Sequence, residues 1–198
     1  LVHNDVGEDM LDPSEIAPFF ILLAVAGNDT TRTAISHGMN LLALNPDQRR
    51  AWQDDLDAVS PTAVEEIVRV ASPVTYMRRT ATRDISLSGQ DFVEGDKLVM
   101  LYGSANRDER VFADPERFDV RRDPNPHLGF GGPGPHFCLG AHLARREVSV
   151  AFRQLLTRLP DIEVDSPPVP LQGMGMPLVG GIKSLPVSFT PSDPLGSH

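Results

Sequence analysis

Apolar and polar residues follow a helical rhythm at the start of the chain, alternate over a short middle stretch, and become helical again before a Pro/Gly-rich tail. Asp12-Pro13-Ser14-Glu15 is a helix start: an acceptor side chain, proline at the first helical position, and a carboxylate three residues after the cap. The helix runs to about Leu44, before Asn45-Pro46, which at 1.5 Å per residue is roughly 45–50 Å. Such a helix crosses a whole domain, and Pro18 inside it is expected to bend the first turns. Pro46 to about Asp55 predicts a short helix, and Ser60-Pro61 opens another that ends before Pro73. Residues 77–82, 85–87, 92–93 and 98–102, with a turn at Gly89-Gln90, predict a small antiparallel sheet. Residues 106–126 read as irregular and 139–159 as the last helix. The tail over 165–189 carries a hairpin around Gly180-Gly181. The fold class is mainly α with a small antiparallel β-sheet, without internal repeats.

Composition narrows the function classes. The formal net charge of −9 supplies no basic face for phosphates, which excludes general nucleic-acid binding. No apolar run reaches the roughly 18–20 residues needed to span a bilayer; the most apolar segment, 16–27, is interrupted by Pro18. No signal peptide is read at Leu1. One cysteine cannot form an internal disulfide, so a cytoplasmic location is expected. Eighteen prolines and 16 glycines are too many for a plain helical bundle and imply many connections.

One stretch carries chemistry. Phe130-Gly131-Gly132-Pro133-Gly134-Pro135-His136-Phe137-Cys138-Leu139-Gly140 places the only cysteine at the end of a glycine-rich loop, directly before the last helix. Glycines let the backbone approach a flat ligand and turn amide N–H groups toward the sulfur. The positive end of the following helix favours the thiolate. A lone cysteine is in general a small buried hydrophobe; this setting suits a metal-bound thiolate instead. The loop resembles the cysteine-ligand signature of the cytochrome P450 family of haem-thiolate monooxygenases, with Gly134, His136 and Gly140 in their places. A thiolate ligand pushes electron density in the sense that favours O–O cleavage, and this family is the type case. Phe130 lies eight positions before Cys138, where the family's usual spacing is seven, so the loop carries an extra residue around Gly132-Pro133. In this it looks like an actinobacterial subgroup acting on sterols and methyl-branched lipids. The resemblance runs from about residue 12 to 189. It implies that residues 1–198 form one domain, the C-terminal, haem-binding half of the family fold, with the N-terminal half absent.

The resemblance also assigns roles. Ala26-Gly27-Asn28-Asp29-Thr30-Thr31 falls in the middle of the long helix, where glycine costs about 1 kcal/mol against alanine. A threonine hydroxyl there can bond back one turn and open a place for water. The segment resembles the family's oxygen-activation motif, with Thr30 and Asp29 as the catalytic proton-delivering pair and Ala26 against the cofactor. Glu66 and Arg69 share one helix face. With Arg117 of Pro115-Glu116-Arg117-Phe118 they resemble a buried structural cluster, whose loss is expected to cost haem. Cys138 would be the axial ligand of haem b, Arg79 and His136 would bind its propionates, and Phe130, Gly132 and Gly140 would shape its seat. Val25, Val74, Met77, Leu178 and Val179 would border a distal cavity for a hydrophobic substrate. Arg121, Arg122, Arg145 and Arg146 could offer a basic patch to an acidic ferredoxin. His3, His37, His127, His142 and His198 lack metal-ligand spacing.

The implied activity is hydroxylation of a hydrophobic small molecule, a sterol or methyl-branched lipid, using O₂ and two electrons from ferredoxin reductase and ferredoxin. Two other readings stand beside it. A haem-thiolate isomerase or peroxygenase would share the ligand, although Asp29-Thr30 speaks against it. An inactive or haem-free chain would self-associate through apolar faces such as Phe19-Phe20 and Leu22-Leu23.

Overall fold

Helix α1 (Pro13–Leu44) begins as its sequence dictates. The Asp12 carboxylate accepts from the Ser14 N–H at 2.8 Å, and the Asp12 N–H donates to Glu15 Oε2 at 2.9 Å. This capping box satisfies donors that the first turn otherwise leaves orphaned. Pro18 remains inside the helix. The structure, a computed structural model, describes residues 12–171 and 177–191.

Helices α2 (Pro46–Asp54) and α3 (Leu56–Ala71) follow with breaks at Asn45 and Asp55. α3 starts a turn earlier than Ser60-Pro61 predicts, because the Asp55 carboxylate caps it by accepting from the Ala58 N–H at 3.0 Å. The Ser60 hydroxyl is used elsewhere. It accepts from Trp52 Nε1 at 2.9 Å and donates to the Leu56 carbonyl at 2.5 Å.

α1, α3 and α5 (Ala141–Arg158) pack together. Leu42, Ala63, Ile67, Val148 and Phe152 in their shared core are at most 1% exposed. Trp52 of α2 joins them with its ring centroid 5.0 Å from that of Phe152. At Gly38 α1 comes close to its neighbours. A Cβ there would lie 2.6 Å from Phe152 Cζ and 2.8 Å from Ile67 Cδ1.

The expected single sheet is instead two separate ladders. β1 (Tyr76–Thr80) pairs antiparallel with β4 (Lys97–Leu101), Tyr76 opposite Leu101 and Thr80 opposite Lys97. β2 (Ile85–Leu87) pairs only with β3 (Gln90–Phe92). Their turn is Ser88-Gly89, one residue earlier than predicted, with φ of 50° and 78°. Two positive φ values match the handedness of a tight hairpin. α4 (Tyr102–Ala105) follows β4. No helix or strand intervenes among residues 106–140, as the irregular reading of 106–126 expects.

The tail departs from its predicted hairpin. β5 (Glu163–Val164) pairs with β8 (Val187–Ser188), and β6 (Val169–Pro170) with β7 (Ile182–Ser184). Gly180-Gly181 is not a reversal but a close approach: the Gly180 N–H donates to the Pro73 carbonyl at 3.0 Å. A Cβ on Gly180 would stand 3.1 Å from Thr75 Cγ2. His37 Nε2 on α1 lies 2.7 Å from the Gly180 carbonyl, so the tail is tied to both α1 and the entry to β1. Among the described residues no helix is long and apolar enough to cross a membrane.

Replacing Gly38 with alanine is expected to destabilise the fold by about 1–3 kcal/mol, the usual cost of overpacking. A chemical-denaturation midpoint that drops at unchanged slope checks this.

Candidate active site

Cys138 is an exposed free thiol at the end of its loop. Its N–H donates to the Phe130 carbonyl at 2.9 Å, so the two ends of the loop are closed on each other. The Phe137 N–H donates to the Gly134 carbonyl at 3.0 Å inside it. Gly131 (φ 87°) and Gly134 (φ 134°) hold backbone conformations that side chains disfavour. Gly140 occupies the N-cap of α5 without a side-chain cap, leaving the positive helix end beside the sulfur. Residues 132–140 are all exposed, and a Cβ on Gly132, Gly134 or Gly140 would meet nothing within 4 Å.

Behind the loop lies a buried ionic cluster. Glu66 and Arg69 are fully buried and joined by two 2.8 Å bonds in a fork. Glu66 also accepts from the Asp119 N–H at 2.9 Å, Asn125 Nδ2 at 3.0 Å and Arg122 Nε at 3.2 Å. Arg69 donates to the carbonyls of Asn106 and Pro115 at 2.8 Å and of Arg117 at 3.0 Å. The third cation is therefore Arg122, not Arg117. The Arg117 side chain is 63% exposed and lies 3.9 Å from Asp119. Its carbonyl is turned inward to Arg69 and Arg122, which sends the side chain outward.

On α1 the Thr30 hydroxyl donates to the Ala26 carbonyl at 2.7 Å, the back-bond expected of it. Asp29 pairs with Arg32 at 3.0 Å, both half-exposed or more. A Cβ on Gly27 would meet nothing within 4 Å. Arg79 is exposed on β1, its guanidinium bonded to the Arg78 carbonyl at 3.1 Å, and has no carboxylate partner among the described residues. His136 is likewise exposed. Val74 and Val179 meet through an antiparallel bridge. Leu178 is exposed beside it, as are Met77 and Val25. His3 and His198 lie outside the described residues.

The proposed basic patch is smaller than its sequence. Arg122 is committed to Glu66, and Arg145 to Glu65. Arg121 and Arg146 are exposed. Glu65 and its partner His127 carried no spacing signal and escaped the sequence reading. Arg145 Nε and Nη2 donate to the two Glu65 oxygens at 2.5 and 2.9 Å, and His127 Nε2 donates to the same carboxylate at 2.9 Å. Burial disfavours the Glu65 charge, but the bonds from His127 and Arg145 outweigh it and hold the carboxyl at about 2. Arg145 is raised in turn, first by its bond with Glu65, against the opposing effect of burial, and further by the charges of Glu65 and Cys138.

A free thiol at a helix N-terminus, an open glycine seat, a back-bonded threonine in a long helix and an Arg79 without a carboxylate partner among the described residues suit a haem-thiolate site. The cytochrome P450 family model matches residues 2–177, and the chain belongs to that family. A methyl-branched lipid omega-hydroxylase of Mycobacterium tuberculosis is 55% identical over 190 residues, 96% of this chain and 44% of that protein. A steroid C26-monooxygenase of Rhodococcus jostii is 46% identical over 189 residues, 96% of this chain and 39% of that protein. The solved structure of a Mycobacterium marinum cytochrome P450 in complex with pseudoionone matches with a TM-score of 0.87 at 50% identity. It covers 96% of this chain and 45% of that one. The chain thus spans less than half the length of these three relatives. The cofactor of the family is haem b. The residues present fit it, in an exposed sulfur, a side-chain-free seat and a guanidinium without a carboxylate of its own among the described residues.

Two outcomes follow from these contacts. Glu66→Ala strands Arg69 and is expected to cost about 3–5 kcal/mol, whereas Arg117→Ala stays within about 0.5 kcal/mol, as surface changes do; denaturant titration separates them. Because the Glu65 carboxyl is depressed from 4.5 to about 2, its ionic contribution is present above pH about 4.5 and lost as pH falls toward 2. Glu65→Gln is therefore expected to be less stable at neutral pH, with the gap to the parent narrowing over that window in denaturation curves.

Proposed function

We propose that this chain supplies the thiolate, proton-handling and cofactor-binding residues of a monooxygenase that hydroxylates a methyl-branched lipid or sterol. The observation that carries the reading is Cys138, an exposed thiol whose N–H is fixed by the Phe130 carbonyl directly before α5. Haem b, once bound, would supply the reductive activation of O₂ that places one oxygen atom in a C–H bond and releases the other as water with two protons and two electrons. Cys138 would be its ligand, with the N-terminal end of α5 favouring the thiolate. Thr30 keeps its hydroxyl on the Ala26 carbonyl, where it would hold a proton or a water. Asp29, at the solvent side, takes up protons and passes them inward. Arg79 and His136 would bind its propionates, and Phe130, Gly132, Gly140 and Ala26 would line its seat.

The lipid class draws support from the two relatives named for such substrates and from the lengthened cysteine loop. Val25, Val74, Met77, Leu178 and Val179 offer an apolar border to such a molecule. Electrons come from a ferredoxin served by its reductase, and the exposed Arg121 and Arg146 suit an acidic partner. A single free cysteine fits a cytoplasmic setting. One observation favours a second reading, self-association without haem: Phe20, Ile21, Leu22 and Val25 on α1 are each 61–62% exposed.

The test is the carbon-monoxide difference spectrum of the reduced chain, expressed with haem supplied, followed by titration with methyl-branched lipids and sterols. A band at the red-shifted position of thiolate-ligated haem, and a lipid-induced Soret shift, are expected. A haem-free dimer on size-exclusion chromatography would overturn the first reading in favour of the second. A thiolate band unmoved by the whole lipid panel would overturn the substrate class alone.

A further inference from the structure

The cysteine loop runs directly into α5 at one end, but at Phe130 it begins in a stretch with no helix or strand of its own. What fixes that end comes from α3. Glu65 and Glu66 are consecutive, so they project about 100° apart around the helix. Glu66 turns to the 106–125 segment, while Glu65 turns to the start of the loop.

The Glu65 carboxylate receives Arg145 as a two-pronged fork and His127 through Nε2. His127 is itself fixed at both nitrogens. Its Nδ1 accepts from the Gly129 N–H at 3.0 Å, so the ring donates through Nε2, and its side chain is 3% exposed. The Arg145 guanidinium stands 4.4 Å over the Phe130 ring, and the His127 ring lies 5.8 Å from the same ring. Gly129, between the histidine and the phenylalanine, is pressed on α3: a Cβ there would lie 2.4 Å from Val68 Cγ1. Phe130 is thus held on its ring by a cation from α5 and an imidazole anchored to α3. Its carbonyl in turn accepts the Cys138 N–H at 2.9 Å.

We propose that Glu65, His127 and Arg145 are positioning residues for Cys138, forming a strut from α3 that orients Phe130 and, through its carbonyl, the amide and sulfur of the cysteine. The proposal rests on the haem-thiolate reading above. None of the three touches the ligand position. They act through Phe130, to which Arg145 adds a direct electrostatic pull on Cys138, and losing a partner behind a metal ligand typically weakens metal retention by roughly 10–100-fold. Arginine is required at 145, because lysine keeps the charge but has neither the fork for Glu65 nor the flat face for Phe130. Histidine at 127 is a donor on one edge and an acceptor on the other. Glutamine there keeps a donor for Glu65, and asparagine keeps an acceptor for the Gly129 N–H.

The experiment uses the haem-loaded protein and reads the fraction of the reduced carbon-monoxide complex absorbing at the thiolate position against the blue-shifted position of a displaced thiolate. Glu65→Gln and Arg145→Lys are expected to raise the displaced fraction several-fold, and His127→Gln and His127→Asn each to raise it less. Gly38→Ala, destabilised in the helical core at Phe152 and Ile67 rather than at a strut residue, serves as the comparison at similar loss of fold stability. Its displaced fraction should stay at the parent's level. Should Glu65→Gln not fold, Arg145→Lys, which keeps the charge, carries the test. Displaced fractions at the parent's value in the strut variants would overturn the proposal, as would an equal rise in Gly38→Ala. A parent protein without any thiolate band would overturn the strut together with the reading it rests on.

Discussion

Everything around the cysteine depends on one buried ion pair. Removing Glu66 and Arg69 from water costs several kcal/mol per ion, and their mutual attraction repays it only if every remaining donor and lone pair is used. Here they are used. Arg69 satisfies three backbone carbonyls and its own glutamate, and Glu66 takes an amide, an asparagine and a second arginine. These partners lie in residues 106–125, a stretch with no ladder or helix of its own. Its backbone polar groups must find partners somewhere. The ion pair is that partner, and an apolar pair of the same volume would leave those carbonyls stranded.

From the cluster the constraint passes forward along the chain. Asn106 is fully buried, donates to the Ser72 hydroxyl at 2.9 Å and accepts the Leu128 N–H at 2.7 Å. Leu128 in turn accepts from the Gly131 N–H at 2.8 Å, at the first glycine of the cysteine loop. The position of the loop is therefore set by α3 through hydrogen bonds between irregular segments, and α3 is held by packing against α1 and α5. The helical core places the frame, and polar contacts place the site within it.

What was legible in the sequence follows from the range of each interaction. The Asp12 capping box, the Thr30 back-bond and the Glu66–Arg69 pair all close within four residues, so spacing brings them within reach of a sequence reading, although the burial of the ion pair was expected only from the family resemblance. Ser60-Pro61 misled because a hydroxyl that can cap a helix can equally serve a tryptophan eight residues away. Arg117 and Arg122 could not be told apart, since which one faces inward depends on the path of an irregular backbone. Gly180-Gly181 looked like a turn, but its glycines answer to Thr75 and Thr33, neighbours brought there by the fold. His127 and Glu65 are 62 residues apart and had no local pattern to announce them. The proposed ligand position was readable because Cys138, its glycines and the following helix are contiguous.

The glycines that suit this loop to a flat ligand also make it the part of the chain least able to hold itself. Glycine loses more backbone freedom on ordering than any other residue, at an overall cost of about 1–2 kcal/mol per residue for the backbone. Residues 132–140 are exposed and gain little burial to offset that. The loop's order must therefore come from its ends. One end is the start of α5, anchored by the buried Ala141. The other is Phe130, gripped between Arg145 and His127 and bonded across to Cys138. A sulfur whose direction matters sits on a segment that cannot fix direction by packing. For that reason the charged and aromatic groups crowd at Phe130, eight residues before the cysteine, rather than around the cysteine itself.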